Sequence, residues 1–162
     1  MTKENAKPDG HLDLVLTRTT SVPARILWRA WTEPEHIKKW FCPRPWRTTA
    51  CELDLRPGGK FYFVMEGPAG ERHENVGCFL EVVPERKLTW TSALGPGFRP
   101  TVDPFLSFTA CITFEDTAEG TRYTAVALHR NDADRQRHAE MGFEQGWGTA
   151  FDQLVEIAGT IK

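Results

Sequence analysis

The stretch FEQGWGTAFDQLVEIA, residues 143–158, decides the reading of this chain. Phe143, Trp147, Phe151, Leu154 and Ala158 recur at intervals of 4, 4, 3 and 4. That spacing keeps returning to one side of an α-helix and draws a single apolar stripe along it. Such a stripe needs an apolar surface to bury it. The helical pattern begins at Asp132, so residues 132–160 are expected to be mostly one long helix. Glycine costs about 1 kcal/mol inside a helix. Gly142, Gly146 and Gly148 therefore predict close packing or a kink.

Upstream of the helix the period changes from helical to two, the mark of half-buried strands. Thr121 to His129 and Phe105 to Phe114 read as strands joined by Glu115 to Gly120. Lys87 to Ser92 carries Leu88 and Trp90 on one face, Thr89 and Thr91 on the other. Glu74 to Val83 is a longer strand ended by Pro84-Glu85, and Gly95 to Pro100 is a loop. Lys60 to Glu66 alternates Phe61, Phe63 and Met65 against Tyr62 and Val64, and Trp46 to Leu55 precedes it. Gly67-Pro68-Ala69-Gly70 is a turn, and Arg56-Pro57-Gly58-Gly59 predicts a tight hairpin, because glycine supplies positive φ. Near the start, His11 to Thr19 places Leu12, Leu14 and Leu16 opposite Asp13 and Val15.

Two short helices follow that first strand. Ser21-Val22-Pro23 opens one, with Ile26, Leu27, Ala30 and Trp31 at helical spacing. Thr32-Glu33-Pro34-Glu35 reads as a capping box for the next, which carries Ile37, Trp40 and Phe41. Cys42-Pro43-Arg44-Pro45 stops it. The resulting order is strand, two short helices, six strands, long helix. Short connections between the late strands make the sheet antiparallel. The fold class is α+β: a curved seven-stranded antiparallel sheet wrapped around a long C-terminal helix, a helix grip. The gap between sheet and helix is the candidate pocket.

Bulk properties narrow the function classes. With 162 residues, the expected organisation is a disordered polar stub over 1–10 and one domain over 11–162. Lys+Arg 20 against Asp+Glu 22 gives a net charge of -2 and no long basic run, which argues against nucleic acid as a partner. No export signal or apolar run of membrane-spanning length appears, so the expected location is the cytoplasm, with no membrane span. Cys42, Cys51, Cys78 and Cys111 form no CxxC pair and read as small apolar side chains in a reducing compartment.

Four stretches in order, VPARILWRAWTEPEHIKKWF, DLRPGGKFYFVM, EVVPERKLTW and GWGTAFDQL, resemble the activator of heat-shock-protein-90 ATPase homologue family, within the START-like, SRPBCC superfamily. The resemblance covers nearly the whole chain. It implies the helix-grip fold. For function it implies a range: lipid and hormone carriers, aromatase/cyclases, co-chaperones, and many small bacterial proteins of unknown role.

The residues themselves offer a pocket rather than a catalytic set. Phe61, Phe63, Trp90, Phe108, Trp147 and Phe151 share the concave face if the strand phases hold. They read as core packing or as pocket walls. Met65, Tyr123, Met141 and Trp40 are expected to complete the lining, Trp40 near one end. Phe63, Trp90, Phe108 and Trp147 should be buried, with Lys60, Lys87 and Thr89 facing water. The inward phases of 74–83 and 121–129 stay open at this stage. Trp46 and Phe98 sit by proline-rich loops, as lid or plugs.

Among His11, His36, His73, His129 and His138 no metal-ligand spacing occurs, and no metal or cofactor is implied. His129 ends a strand in phase with Tyr123, and is expected at the pocket mouth, facing His138 and Met141. No paired carboxylates, serine elbow or phosphate loop is recognisable, so no catalytic residue is assigned. Three readings follow. The first is a binding module for a hydrophobic small molecule, oriented by the Tyr123 hydroxyl and His129. The second is a polyketide cyclase/dehydratase-like enzyme using Tyr123, His129 or Arg122 as acid or base. The third is a protein-interaction domain, with a chaperone or a second copy as partner.

Overall fold

A computed structural model describes residues 8–102 and 104–162. The expected stub over 1–10 lies outside the described residues as far as residue 7. From there Leu12 and Asp13 donate backbone N–H groups to the Asp9 carbonyl and lead into strand β1, Asp13–Thr20. Helices α1, Ala24–Thr32, and α2, Pro34–Trp40, follow. Strands β2, Arg47–Leu53, β3, Lys60–Glu66, β4, Arg72–Val83, and β5, Lys87–Thr91, come next. A small ribbon of β6, Leu94–Gly95, and β7, Arg99–Pro100, interrupts them before β8, Thr109–Thr117, and β9, Gly120–Leu128. Helices α3, Asp132–Glu140, and α4, Phe143–Ala158, close the chain.

The main sheet has seven strands in the order β1-β9-β8-β5-β4-β3-β2, every neighbouring pair antiparallel. Register shifts in β2 between Thr48 and Ala50, and in β4 between Phe79 and Glu81, add local bends of the kind that curve a sheet. Period-two alternation is realised in β9, where Tyr123, Ala125 and Ala127 are buried on one face. Their small size at the last two positions leaves room inside the curve. Helix α4 packs chiefly against α1, α2 and β1, so its other flank stands off from β3, β4 and β5. That offset opens the space described below. No helix among the described residues is long and apolar enough to cross a membrane.

Several sequence expectations are corrected here. Residues 132–160 are mostly helix as expected, but in two pieces, because Gly142 adopts φ +91 and breaks the run at Met141–Gly142. No atom within 4 Å would meet a Cβ at Gly142, so the left-handed backbone rather than crowding calls for glycine. The expected strand from Phe105 starts only at Thr109. Residues 101–102 and 104–108 arch instead, held by the Ser92 hydroxyl, which donates to the Leu106 carbonyl at 2.6 Å and accepts from the Phe108 N–H at 3.1 Å. The capping box at Thr32 does not form. Glu33 precedes a proline and is extended, so it becomes the N-cap of α2. Thr32 stays in α1, and its hydroxyl donates to the Trp28 carbonyl.

The Gly58–Gly59 turn does join antiparallel strands, but as the end of a wider loop closed by Asp54 N–H to the Lys60 carbonyl. Loop 95–100 holds the small ribbon and a helical turn. Within that turn the ring of Phe98 lies where a Cβ on Gly58 would sit, 2.8 Å away, and so plugs that turn rather than the pocket. Lys60, Lys87 and Thr89 lie on the outer face as expected, partly shielded there, with Lys60 paired to Glu52 at 2.6 Å and Lys87 to Glu81 at 3.0 Å.

Candidate functional site

The apolar residues of α1, α2 and the sheet build an aromatic cluster at one end of the space. Trp31 meets Trp40 at 4.8 Å and Trp90 at 5.2 Å between ring centroids. Phe61 lies 5.3 Å from Trp90 and 5.0 Å from Phe63, its neighbour two residues along β3. Phe41, just past α2, sits over Phe63 at 5.0 Å. Because Phe61 and Phe63 alternate inward with Met65, β3 presents a continuous apolar row. At the other end Phe143 and Trp147 of α4 pack at 4.6 Å, and Phe108, just before β8, approaches His138 at 4.8 Å.

Between these groups lies a cavity of about 660 Å³. That is the size range of sites for small organic molecules. Trp40, Phe61, Phe63, Met65 and Trp90 line it from one side. Phe108, Tyr123, Met141, Trp147 and Phe151 complete the sequence-predicted wall. Trp90 is buried as expected, whereas Phe63, Phe108 and Trp147 point inward and remain half-buried. The inward phase was read correctly, and these rings pack against the core on one side and border the cavity on the other. Trp46 is absent from this lining and stacks on His73 at 5.6 Å. A second cleft of about 510 Å³ opens between α2 and β2, rimmed by Lys38, Lys39, Arg44 and Arg47, and is far more polar.

His129 does not line the cavity; His138 does. His129 is buried behind it, with Nδ1 2.8 Å from the Leu12 carbonyl and Nε2 2.9 Å from His138 Nδ1. The Tyr123 hydroxyl accepts from the Trp31 indole N–H at 3.2 Å, and its own proton meets no acceptor among the described residues. Burial raises the Tyr123 pKa, so the phenol stays protonated. Burial above all lowers His138 to about 4, so His138 is neutral at ordinary pH. Burial likewise pushes the Cys51 thiol up to about 12, which keeps it inert. Glu74, at the rim, is the one carboxylate of the lining among the described residues, and it accepts from the Tyr62 hydroxyl at 2.9 Å. No three His, Cys, Asp or Glu side chains converge as metal ligands would among the described residues.

Sequence reasoning left several wall residues unassigned: Leu16, Trp31, Phe41, Phe143 and Ala150, with Val102, Phe105 and Leu106 from the arch. The aromatic density of residues 28–41 was the available signal for Trp31 and Phe41. Nothing local marks Val102 and Phe105, because an irregular segment has no period. Both are strongly exposed, at 86% and 65%, and Met141 beside them is at 53%. Together they form an apolar rim to the opening.

A curved antiparallel sheet, two helices after its first strand and a C-terminal helix enclosing an apolar cavity define a helix-grip protein. Residues 21–159 match the family model described as "Activator of Hsp90 ATPase homolog 1-like protein", and the chain belongs to that family. A crystal structure of a Nitrosomonas europaea protein is 50% identical, covers 94% of this chain and 97% of its own, and superposes with a TM-score of 0.91. A Mycobacterium smegmatis protein is 26% identical over 91% of this chain and 90% of its own, with a TM-score of 0.75. A Rhodobacter sphaeroides protein, at 18% identity, 96% and 97% coverage and a TM-score of 0.81, shares the fold. Among curated proteins, none matches the chain.

Proposed function

We propose that residues 11–162 act as one unit that binds a neutral, hydrophobic, ring-bearing small molecule between the sheet and α4. The observation that carries this reading is the inward, half-buried state of Phe63, Phe108 and Trp147 around about 660 Å³ of space. Cores normally close over such rings at crystal-like density. Rings left uncovered gain roughly 25 cal/mol for each Å² a guest shields, before ordering costs. Among the described residues the lining carries one rim carboxylate and a neutral histidine, which disfavours sugars and nucleotides. The four unpaired thiols suit a reducing compartment such as the cytoplasm.

Native mass spectrometry of protein purified from its own host, together with a tryptophan-fluorescence screen of alkylated aromatics, tests the reading. A co-purifying molecule, or saturable quenching that Trp147→Arg abolishes, is the expected result. Absence of both removes the binding role. A protein-interaction role draws on the exposed rim of Val102, Phe105 and Met141. In that case Phe105→Ser would abolish capture of the chaperone partner, whereas Trp147→Arg, inside the cavity, would leave capture intact.

A further inference from the structure

Two buried histidines fix the polarity of one point on the cavity wall. His129 Nδ1 lies 2.8 Å from the backbone carbonyl of Leu12, and a carbonyl only accepts. Nδ1 of His129 therefore carries the proton, and in the neutral ring Nε2 holds a lone pair. That lone pair faces His138 Nδ1 at 2.9 Å, so His138 must donate from Nδ1. The remaining nitrogen, Nε2 of His138, is then left with a bare lone pair. It has no hydrogen-bond partner among the described residues and is not sealed inside the protein, since His36 Nδ1 is the buried nitrogen without a partner. The ring itself is only 6% exposed and borders the cavity. The Phe108, Phe143 and Trp147 rings, at 4.8, 5.2 and 6.0 Å, hold it in place.

We infer that His138 Nε2 is the hydrogen-bond acceptor of the site, oriented by His129, and that it selects hydrophobic molecules carrying a hydroxyl group, phenols above all, over ethers of the same shape. The inference rests on the binding role proposed above and adds the ligand's chemistry to it. A hydroxyl meets the lone pair with its proton. A methyl ether presents a second lone pair and leaves a buried acceptor unpaired, a loss worth about tenfold in affinity. The lowered pKa of His138 supports this, because a neutral ring keeps the lone pair available. His129 is a positioning residue: it touches no ligand and sets the tautomer of its neighbour.

The test uses the intact chain and two probes, 4-propylphenol and 4-propylanisole, titrated under NMR observation at pH 7.5. Both should shift the indole N–H signals of Trp90 and Trp147, with the phenol bound about tenfold more tightly. His138→Phe, which keeps a ring against Phe108 and Trp147, should bring the two affinities together. The imidazole nitrogen spectrum of the unmodified protein should show Nε2 of His138 without a proton, a readout that does not depend on any variant folding. If neither probe shifts those indoles, the binding role itself fails, and the inference with it. Equal affinities in the unmodified protein would leave the cavity reading standing and overturn the acceptor. A preference that survives His138→Phe and disappears in Tyr123→Phe would assign selection to Tyr123 and also overturn it.

Discussion

Gln153 is a buried amide on α4 whose loss can be worked out group by group. Its Nε2 donates to the Trp40 carbonyl at 3.0 Å and to the Cys42 carbonyl at 2.7 Å, and its Oε1 accepts from the Arg44 N–H at 3.0 Å. One side chain thus ties α4 to the segment leaving α2. In Gln153→Leu the Trp40 carbonyl keeps the Cys42 N–H as partner, but the Cys42 carbonyl and the Arg44 N–H lose theirs. Both orphans are only part-buried beside the cleft, so each costs about 1–2 kcal/mol, while the apolar leucine regains about 1 kcal/mol of burial. The expected net loss is about 2 kcal/mol, read by urea denaturation with an unchanged slope. Gln153→Glu should be at least as harmful despite its similar shape, because it turns an oxygen toward two carbonyls. A leucine variant losing less than about 1 kcal/mol, or a glutamate variant as stable as the parent, would refute the reasoning.

Three further outcomes are expected. His138 is neutral in the fold with a pKa near 4 against an ordinary 6.5, so its contribution is complete above pH 6.5 and is lost as pH falls toward 4. At about 1.4 kcal/mol per unit, reduced for solvent entering at the mouth, the loss is about 2 kcal/mol. It should be missing from the difference in stability of His138→Asn between pH 7 and pH 4.5, measured by denaturation against the parent. Trp31, sealed against Trp40 and Trp90, should cost about 3–5 kcal/mol as alanine, while cavity-facing Trp147→Ala should cost about 2 kcal/mol and weaken 4-propylphenol binding more. Gly142→Ala meets no steric obstacle but must hold φ +91, so about 1–2 kcal/mol and a few degrees of Tm should be lost in thermal unfolding.

The legible parts of the chain were those where one side chain repeats a rule. Phe61, Phe63 and Met65 at intervals of two, and Phe143 through Ala158 at intervals of three and four, each place a whole element by the face they share. Most of the cavity wall followed from those faces. The misses arise where distant groups decide. Phe105 is apolar and sits in an apolar run, yet Ser92 reaches across to fold that segment into an arch. His129 looked like a mouth residue from its phase in β9. What places it behind the wall is the Leu12 carbonyl, just ahead of β1 and far away in sequence. Gly142 was flagged as a kink or a close contact, and only its dihedral angle separates the two.

Helix α3 has an unusual tenure in this fold. Asp132–Glu140 is polar all round, and His138 is its one buried residue. Otherwise it is held by the Asn131 cap and by Arg135 donating to the Asp13 carbonyl at 3.1 Å. An element with so little buried surface detaches at low free-energy cost compared with the sheet or α4. The side chain that latches α3 to the body is also the one whose free nitrogen meets the cavity. In hydrogen exchange the amides of α3 should therefore open ahead of those of the sheet and α4.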